Sequence, residues 1–157
     1  MKRIMFVCHG NICRSPMAEF IFRDLVEKKG LQNRFSAASC ATSTEEIRNG
    51  IGNPIYPPAK RELYRHGIKT TEKRAVQLQK SDYEKYDLFL CMDRYNLHNA
   101  LRILGGDDGK KVQMLLDYAH GGDVSDPWYT DRFDVAYEDI LRGCEGLLQH
   151  LMKEAEA

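Results

Sequence analysis

Short apolar runs alternate along the chain with longer amphipathic segments, a pattern typical of β-strands that alternate with α-helices. The longest uninterrupted apolar runs, Ile4–Cys8 and Leu88–Met92, have the length of buried strands. Because the intervening segments favour helices, the chain is expected to form an α/β fold with a mainly parallel sheet. The predicted strands are Lys2–Val7, Phe35–Thr42, Leu88–Met92 and Val112–Leu116.

Local signals place the ends of the helices. Ser15 suits the N-cap of the first helix, and Pro16 suits its first position because an N–H there would have no helical partner. Gly30 is expected to end that helix. The other predicted helices are Ala59–His66, a helix from a cap at Asp93 to Leu104, and an apolar stripe from Ile140 to Leu151 that follows the irregular segment Asp117–Phe133.

Size and charge exclude several classes of protein. The 157 residues and 18.1 kDa predict a single domain over residues 1–157. Lys plus Arg and Asp plus Glu are 23 each, so the chain gives no reason to expect nucleic acid or a membrane surface as partner. The five cysteines are odd in number and irregularly spaced, which predicts a reduced, cytoplasmic protein. We expect it to be a monomer.

The loop between the first strand and the first helix carries the strongest chemical signal. It contains Cys8-His9-Gly10-Asn11-Ile12-Cys13-Arg14-Ser15. A short turn at a helix N-terminus directs backbone N–H groups inward, which forms an anion-binding cradle. Gly10 and Asn11 tolerate the positive φ that such a turn needs. The segment therefore predicts a binding site for phosphate or another tetrahedral oxyanion.

The residue types in this loop also predict a reaction. The Arg14 guanidinium can hold two phosphate oxygens, and the positive field around it favours the thiolate of Cys8. The Ser15 hydroxyl can hydrogen-bond the sulfur and ease its later departure. Cys8 and Arg14 alone would also fit a buried thiol beside an ordinary turn. Their combination with glycine, asparagine and serine at these positions favours a cysteine nucleophile beneath a bound phosphoryl group.

The segment Cys8–Ser15 resembles the signature C-x-G-N-x-C-R-S of the low-molecular-weight protein tyrosine phosphatases. The resemblance extends to the chain length, to Cys91-Met92-Asp93 and to Asp126-Pro127 before the last helix. It implies a three-layer αβα sandwich with a central four-stranded parallel sheet and the phosphate-binding loop after the first strand. It also implies hydrolysis of phosphomonoesters through a cysteinyl-phosphate, without a metal or cofactor.

The resemblance further assigns roles to single residues. Asn11 and Ser39 would hold the loop in shape, and Cys13 would trap oxidised Cys8 as a disulfide. Asp126-Pro127 on its own is most often a turn, but within the family pattern Asp126 is the expected general acid and then the base.

The residues around the loop predict the walls of a pocket. Trp128 and Tyr129 either plug the core or form a slot for a flat phenyl ring, which would favour phosphotyrosine in a protein substrate. His9 would stand at the mouth, where family members more often have an aliphatic residue or threonine. Thr44-Glu45-Glu46 is acidic and is expected to disfavour acidic phosphopeptides. Ile47–Pro58 looks longer than usual in the family, with Tyr56-Pro57-Pro58 in the place of Asp-Pro-Arg.

Other functions on a similar chain stay open. Arsenate reductases need two further cysteines to relay a disulfide, whereas this region has only Cys91. Protein arginine phosphatases tend to carry threonine in place of Ile12. A phosphocarrier or a silent phosphotyrosine-binding module fits poorly, because Arg14 and Asp126 favour hydrolysis. No metal site is expected, since the histidines lack metal-ligand spacing: His66, His98, His120 and His150.

Overall fold

Four parallel strands form a central sheet in the computed structural model, which describes residues 1–156. The strands of this sheet are β1 Lys2–Cys8, β2 Phe35–Ala41, β5 Leu88–Cys91 and β6 Val112–Met114, and two short strands, β3 Ile47–Arg48 and β4 Ile51–Gly52, form a separate antiparallel pair. The α-helices are α1 Arg14–Lys28, α2 Pro57–Arg65, α3 Asp82–Lys85, α4 Arg94–Leu104, α5 Pro127–Thr130 and α6 Phe133–Glu156, and a 3₁₀ helix covers Leu115–Tyr118. The order in the sheet is β2-β1-β5-β6, so β2 lies on one side of β1 and the later strands lie on the other. Such a topological switch point, at the carboxyl end of β1, is where ligands bind in α/β folds.

Helices cover both faces of this sheet. Because side chains alternate along a strand, Ile4 and Phe6 of β1 pack in one core cluster with α1 and α6, and α2 joins that layer. Met5 and Val7 face the opposite side, where α4 contributes Ala100 and Leu104 to a second cluster. The predicted three-layer sandwich is confirmed. Within residues 1–156, no helix is long and apolar enough to cross a membrane.

The start of α1 differs from the prediction. The helix begins at Arg14 with Cys13 as its N-cap, so Ser15 is not the cap and Pro16 is not the first helical residue. The Ser15 hydroxyl is turned towards Asn11 and Cys8, which leaves it unable to cap the backbone. Pro16 still fits because the whole first turn of a helix lacks N–H partners.

The ends of other elements also differ from the predicted ones. The strand predicted over Val112–Leu116 stops at Met114, where the 3₁₀ helix takes over. Helix α2 begins at Pro57 and takes in both prolines, since proline is tolerated in a first turn. The cap at Asp93 is confirmed: its carboxylate accepts a hydrogen bond from the Asn96 N–H at 2.8 Å, and α4 ends at Gly105 with a left-handed φ of 79°.

A small hairpin within residues 47–52 is absent from the predicted elements. Strands β3 and β4 are joined by Asn49 and Gly50, whose φ values are 52° and 77°. Two such residues between short strands are typical of a type I′ turn, and the Asn-Gly pair was a sequence signal for it. Gly52 packs so closely on the following segment that a Cβ there would lie 1.9 Å from the Ala75 carbonyl oxygen. The hairpin is therefore packed directly against the backbone at Ala75.

A glycine fixes the contact between α6 and the 3₁₀ helix. A Cβ at Gly146 would lie 1.9 Å from the Tyr118 carbonyl oxygen, far inside van der Waals contact. Alanine normally stabilises a helix by about 1 kcal/mol over glycine, but overpacking against backbone costs about 1–3 kcal/mol. We therefore expect Gly146→Ala to lower the free energy of unfolding by about 2 kcal/mol in urea denaturation. Gln149→Ala, an exposed change on the same helix, should stay within about 0.5 kcal/mol of wild type; equal stability of the two variants would contradict the contact.

Candidate active site

The loop between β1 and α1 curls over the sulfur of Cys8. Cys8 is 4% exposed, and its Sγ lies 2.9 Å from the Ser15 Oγ. The Asn11 backbone N–H donates to the same sulfur at 3.3 Å, and Asn11 has the left-handed φ of 60° that the sequence predicted. Gly10 does not adopt a positive φ; its small size matters instead, because a Cβ there would lie 3.3 Å from Glu46 Cγ. The sulfur is thus placed at the base of a tight loop.

The Asn11 side chain ties this loop to the sheet. Its Nδ2 donates to the Ser15 Oγ at 2.8 Å and to the Ser39 Oγ at 3.0 Å. Its Oδ1 accepts a hydrogen bond from the Val76 N–H at 3.1 Å. The structure thus brings Asn11, Ser15 and Ser39 together behind Cys8, and their role as supports of the loop stays a prediction.

Arg14 lies at the first position of α1 with its guanidinium buried. Nη1 donates to the Val124 carbonyl at 3.0 Å, and Nη2 donates to Asp93 at 2.8 Å and to Asp126 at 3.4 Å. Burial opposes the charge of this group, but Cys8, Asp126 and Asp93 outweigh burial and raise the pKa of Arg14 above its ordinary value. The guanidinium therefore carries a full positive charge close to the sulfur.

The two carboxylates that contact Arg14, Asp93 and Asp126, differ in exposure and in their other hydrogen bonds. Asp93 has a side chain only 14% exposed, and it also caps α4 through Asn96. The Asp126 side chain is 33% exposed, and its Oδ1 accepts from the Trp128 N–H at 3.1 Å as the N-cap of α5. The ion pair of Asp93 with Arg14 was not predicted, since nothing local in the sequence connects them. Asp126 is the carboxylate that faces the open side of the site.

Aromatic side chains form the rim near Asp126. Trp128 and Tyr129 are 63% and 84% exposed, so they are not core plugs. The Tyr56 ring lies 5.8 Å from the Trp128 ring, and its backbone N–H donates to the Ile12 carbonyl at 2.9 Å. Tyr56 is therefore a rim residue that the sequence analysis did not assign; its one signal was the unusual Tyr-Pro-Pro stretch.

The opposite rim is polar. His9 is exposed, and its Nε2 lies 3.0 Å from Glu45 Oε2. Glu46 is held by Asn53, which donates from Nδ2 to its carboxylate at 3.1 Å and from its backbone N–H to its carbonyl at 2.8 Å. The segment just before β3 thus presents two carboxylates, Glu45 and Glu46, beside the loop.

Comparison with known proteins decides the family. The model for low molecular weight phosphotyrosine protein phosphatases matches residues 3–157. This chain belongs to that family. It is 38% identical to the low molecular weight protein-tyrosine-phosphatase YfkJ of Bacillus subtilis over 99% of both chains. The crystal structure of YfkJ superposes with a TM-score of 0.92 and covers 98% of this chain and 96% of that one. It is 37% identical to the chicken (Gallus gallus) low molecular weight phosphotyrosine protein phosphatase over 95% of both chains.

The family prediction is confirmed, and with it the enzyme class: this chain is a phosphatase, a hydrolase of phosphoric monoesters. The fold also accommodates a related chemistry, because the structure of the Drosophila arginine phosphatase DARP superposes with a TM-score of 0.84 at 30% identity, covering 96% of this chain and 98% of that one. Among residues 1–156 of this phosphatase, no three His, Cys, Asp or Glu side chains come together as metal ligands.

Burial keeps the other four cysteines of the phosphatase in the protonated form. All five cysteines are free. Burial, followed by the nearby Cys8 and Asp126, raises the pKa of Cys13 to about 12. Burial also raises the pKa of Cys40, Cys91 and Cys144, which lie in the core. These four thiols are therefore protonated at neutral pH.

The protonated state of these four thiols predicts selective alkylation. Alkylating reagents attack the thiolate, and the raised pKa of Cys13 keeps that thiol unreactive at pH 7. We expect iodoacetate at pH 7 to modify Cys8 first and stoichiometrically, as read by peptide mass spectrometry, and inorganic phosphate to protect it. Faster labelling of Cys13 would contradict the assignment of the reactive thiol.

Proposed function

We propose that this phosphatase hydrolyses phosphotyrosine in proteins with Cys8 as nucleophile, Arg14 as the phosphate-binding cation and Asp126 as general acid and base. One observation carries the proposal: the Cys8 sulfur, ringed by the loop from His9 to Ser15, shares a small site with a buried guanidinium and a partly exposed carboxylate. All these groups come from a single chain, so the site needs no second copy.

In the first step the Cys8 thiolate attacks phosphorus while the bond from phosphorus to the tyrosine oxygen breaks. Asp126 gives its proton to the leaving phenolic oxygen, so tyrosine departs neutral. Arg14 and the backbone N–H groups of the loop stabilise the charge on the equatorial phosphoryl oxygens. The product is a cysteinyl-phosphate on Cys8.

In the second step water attacks the phosphorus of this intermediate. Asp126, now a carboxylate, takes a proton from the water, and the bond from sulfur to phosphorus breaks. The sulfur leaves as a thiolate, which the Ser15 hydroxyl stabilises from 2.9 Å. Inorganic phosphate is released and the enzyme returns to its starting state. The reaction requires a reduced thiol, which fits the cytoplasm as its compartment.

The rim supports phosphotyrosine as the substrate. Trp128, Tyr129 and Tyr56 offer flat apolar surfaces for a phenyl ring, and the aliphatic Ile12 lies in the loop itself. Phosphoarginine is the alternative, since DARP is an arginine phosphatase of the same fold. Ile12 stands where protein arginine phosphatases tend to carry threonine, and an apolar side chain there suits an aryl phosphate.

The proposal is tested by steady-state hydrolysis of an aryl phosphate at pH 5–7, with EDTA and a thiol reductant present. We expect metal-independent turnover, and a kcat/KM for a phosphotyrosine peptide well above that for a phosphoarginine peptide of the same sequence. No turnover of any aryl phosphate would refute the phosphatase mechanism. A reversed order of the two peptides would replace phosphotyrosine by phosphoarginine as the substrate.

The acidic rim predicts a preference among phosphopeptides. Glu45 is exposed beside His9, so acidic residues next to the phosphotyrosine meet like charge. We expect Glu45→Lys to raise kcat/KM for an acidic peptide relative to a basic one by about 3–5-fold at low salt, fading as salt is added. Turnover of a small aryl phosphate should not change. Glu72→Lys, an exposed charge reversal beside Arg74, is the matched control; an equal effect there would exclude a specific role of the rim.

A further inference from the structure

A buried carboxylate lies behind the phosphate-binding loop and has no part in the reaction described above. Glu19 of α1 is 3% exposed. Its Oε1 accepts a hydrogen bond from the Ser39 hydroxyl at 2.6 Å, and its Oε2 lies 2.7 Å from an Arg23 guanidinium nitrogen. Since burying a carboxylate is costly, its placement against a loop-supporting serine suggests a function.

The directions of the hydrogen atoms in this network can be worked out. A backbone N–H can only donate, so the bond from Val76 N fixes Asn11 Oδ1 as the acceptor and turns Asn11 Nδ2 towards the two serines. Nδ2 gives one hydrogen to Ser15 and one to Ser39. Both serine oxygens therefore accept from Asn11, and each must give its own hydrogen to another group.

The two serine hydrogens have different destinations. The Ser39 hydrogen goes to Glu19. The Ser15 hydrogen has two acceptors within reach, the Cys8 sulfur at 2.9 Å and the Cys40 carbonyl oxygen at 3.4 Å. A hydrogen bond to the sulfur favours the thiolate, whereas a bond to the carbonyl does nothing for it. The Asn11 amide decides which acceptor receives the Ser15 hydrogen, because the hydrogen bond from Nδ2 occupies one lone pair of the Ser15 oxygen and so sets the rotation of the hydroxyl.

We propose that Glu19 is a positioning residue for the nucleophile: by accepting the Ser39 hydrogen, it keeps the Asn11 amide in place so that Ser15 donates to the Cys8 thiolate. The inference rests on the proposed function only in taking Cys8 as the nucleophile. It adds a carboxylate on α1, remote from substrate, to the groups that set the pH range in which that thiolate forms.

Charged groups surround both ends of the network. Arg23 pairs with Glu19, and Lys73 donates from Nζ to the Ser39 carbonyl at 2.9 Å; burial lowers the pKa of Lys73, and Glu19 opposes that effect. On the side of Cys8 lie the guanidinium of Arg14 and its two carboxylate partners, Asp93 and Asp126. The cations beside Glu19 compensate its charge, so Glu19 acts through the direction of a hydrogen bond.

Replacing Glu19 by glutamine reverses that direction. The side chain keeps its size, but its NH₂ group cannot face the donor Arg23 and must turn towards Ser39. The Ser39 oxygen would then face hydrogens from both Gln at position 19 and Asn11 Nδ2, and its own hydrogen would lose its acceptor, which loosens the Asn11 amide. Ser39→Ala removes the same link while Glu19 stays paired with Arg23.

The experiment measures the rate of Cys8 alkylation by iodoacetamide against pH, together with the pH profile of kcat/KM for an aryl phosphate. We expect Glu19→Gln to move the midpoint of both profiles up by roughly one pH unit, which is a tenfold loss of thiolate below the midpoint. Ser39→Ala should give the same shift, and the double variant no more than either single one. Asp24→Asn breaks another i,i+4 ion pair of α1, with Lys28, and should shift neither profile.

An unshifted profile in Glu19→Gln, or an effect that adds in full to that of Ser39→Ala, would overturn the proposal, because Glu19 would then act only on stability. If Glu19→Gln does not fold, Ser39→Ala decides, and no shift there also overturns it. Alkylation does not require turnover. A wild-type protein that alkylates with these shifts but hydrolyses no phosphate would therefore refute the proposed function and leave the role of Glu19 standing.

Discussion

Replacing Cys8 by serine is expected to lower the turnover of any aryl phosphate by more than about 10⁴-fold, because an enzyme that loses its nucleophile keeps only binding and charge stabilisation. The serine hydroxyl fits the space, since Cys8 Sγ and Ser15 Oγ already lie 2.9 Å apart. It does not ionise near neutral pH, so Arg14 and the loop would still bind phosphate without attacking it. Steady-state rates and phosphate binding by calorimetry measure the two effects separately.

A second buried thiol provides the control for this variant. Cys144 is fully buried in α6 and touches the Ala18 carbonyl, away from the loop. Cys144→Ser should keep the wild-type rate in the folded protein, and only wild type and Cys144→Ser should yield a phosphorylated Cys8 on rapid acid quenching. Turnover that survives in Cys8→Ser, or a phosphate trapped on another residue, would show that the nucleophile lies elsewhere.

The sequence predicted the loop well because the signals for it are local. Cys8, Asn11 and Arg14 lie within one turn between a strand and a helix, and backbone geometry alone brings their groups to the same place. The same local reasoning was wrong about Ser15 as N-cap. A cap serine and a serine that serves the nucleophile look alike until the partner of the hydroxyl is known.

Contacts between residues that are distant in the sequence could not be predicted. Asp93 meets Arg14 and Ser39 meets Glu19 only because the sheet order places β2 and β5 on either side of β1. Tyr56 meets Trp128 because the starts of α2 and α5 come together in the fold. Neither the charge nor the spacing of these residues identifies the partner. The Asn49-Gly50 turn is a different case, because the Asn-Gly pair is a local signal for a hairpin. The hairpin was missed because residues 47–52 lie in a polar stretch and were not interpreted as strands.

The sheet order also explains why two carboxylates reach one guanidinium and why only one of them suits proton transfer. Asp93 follows β5, and both of its carboxylate oxygens already accept hydrogen bonds, Oδ1 as the cap of α4 and Oδ2 from Arg14. Asp126 follows a long connection, and its contact with Arg14 is longer, at 3.4 Å against 2.8 Å. A group that gives and takes protons must reach the leaving oxygen and then water, and the more exposed Asp126 is the one placed to do so.

Asp126→Asn is accordingly expected to reduce kcat/KM by about 10²–10⁴-fold for phenyl phosphate, whose leaving group needs a proton, and far less for p-nitrophenyl phosphate, whose leaving group does not. Asp93→Asn is the matched change on the same guanidinium. It weakens the hold on Arg14, so its loss of about tenfold should be the same for both substrates. The measurement is kcat/KM for a series of aryl phosphates plotted against the pKa of the phenol, because kcat/KM reports the formation of the cysteinyl-phosphate and not its later hydrolysis, in which Asp126 is the base. A steep slope in Asp126→Asn alone identifies the acid; parallel lines for the two variants would mean that Asp126 only positions Arg14, and a steep slope in Asp93→Asn would move the proton donor to the end of β5.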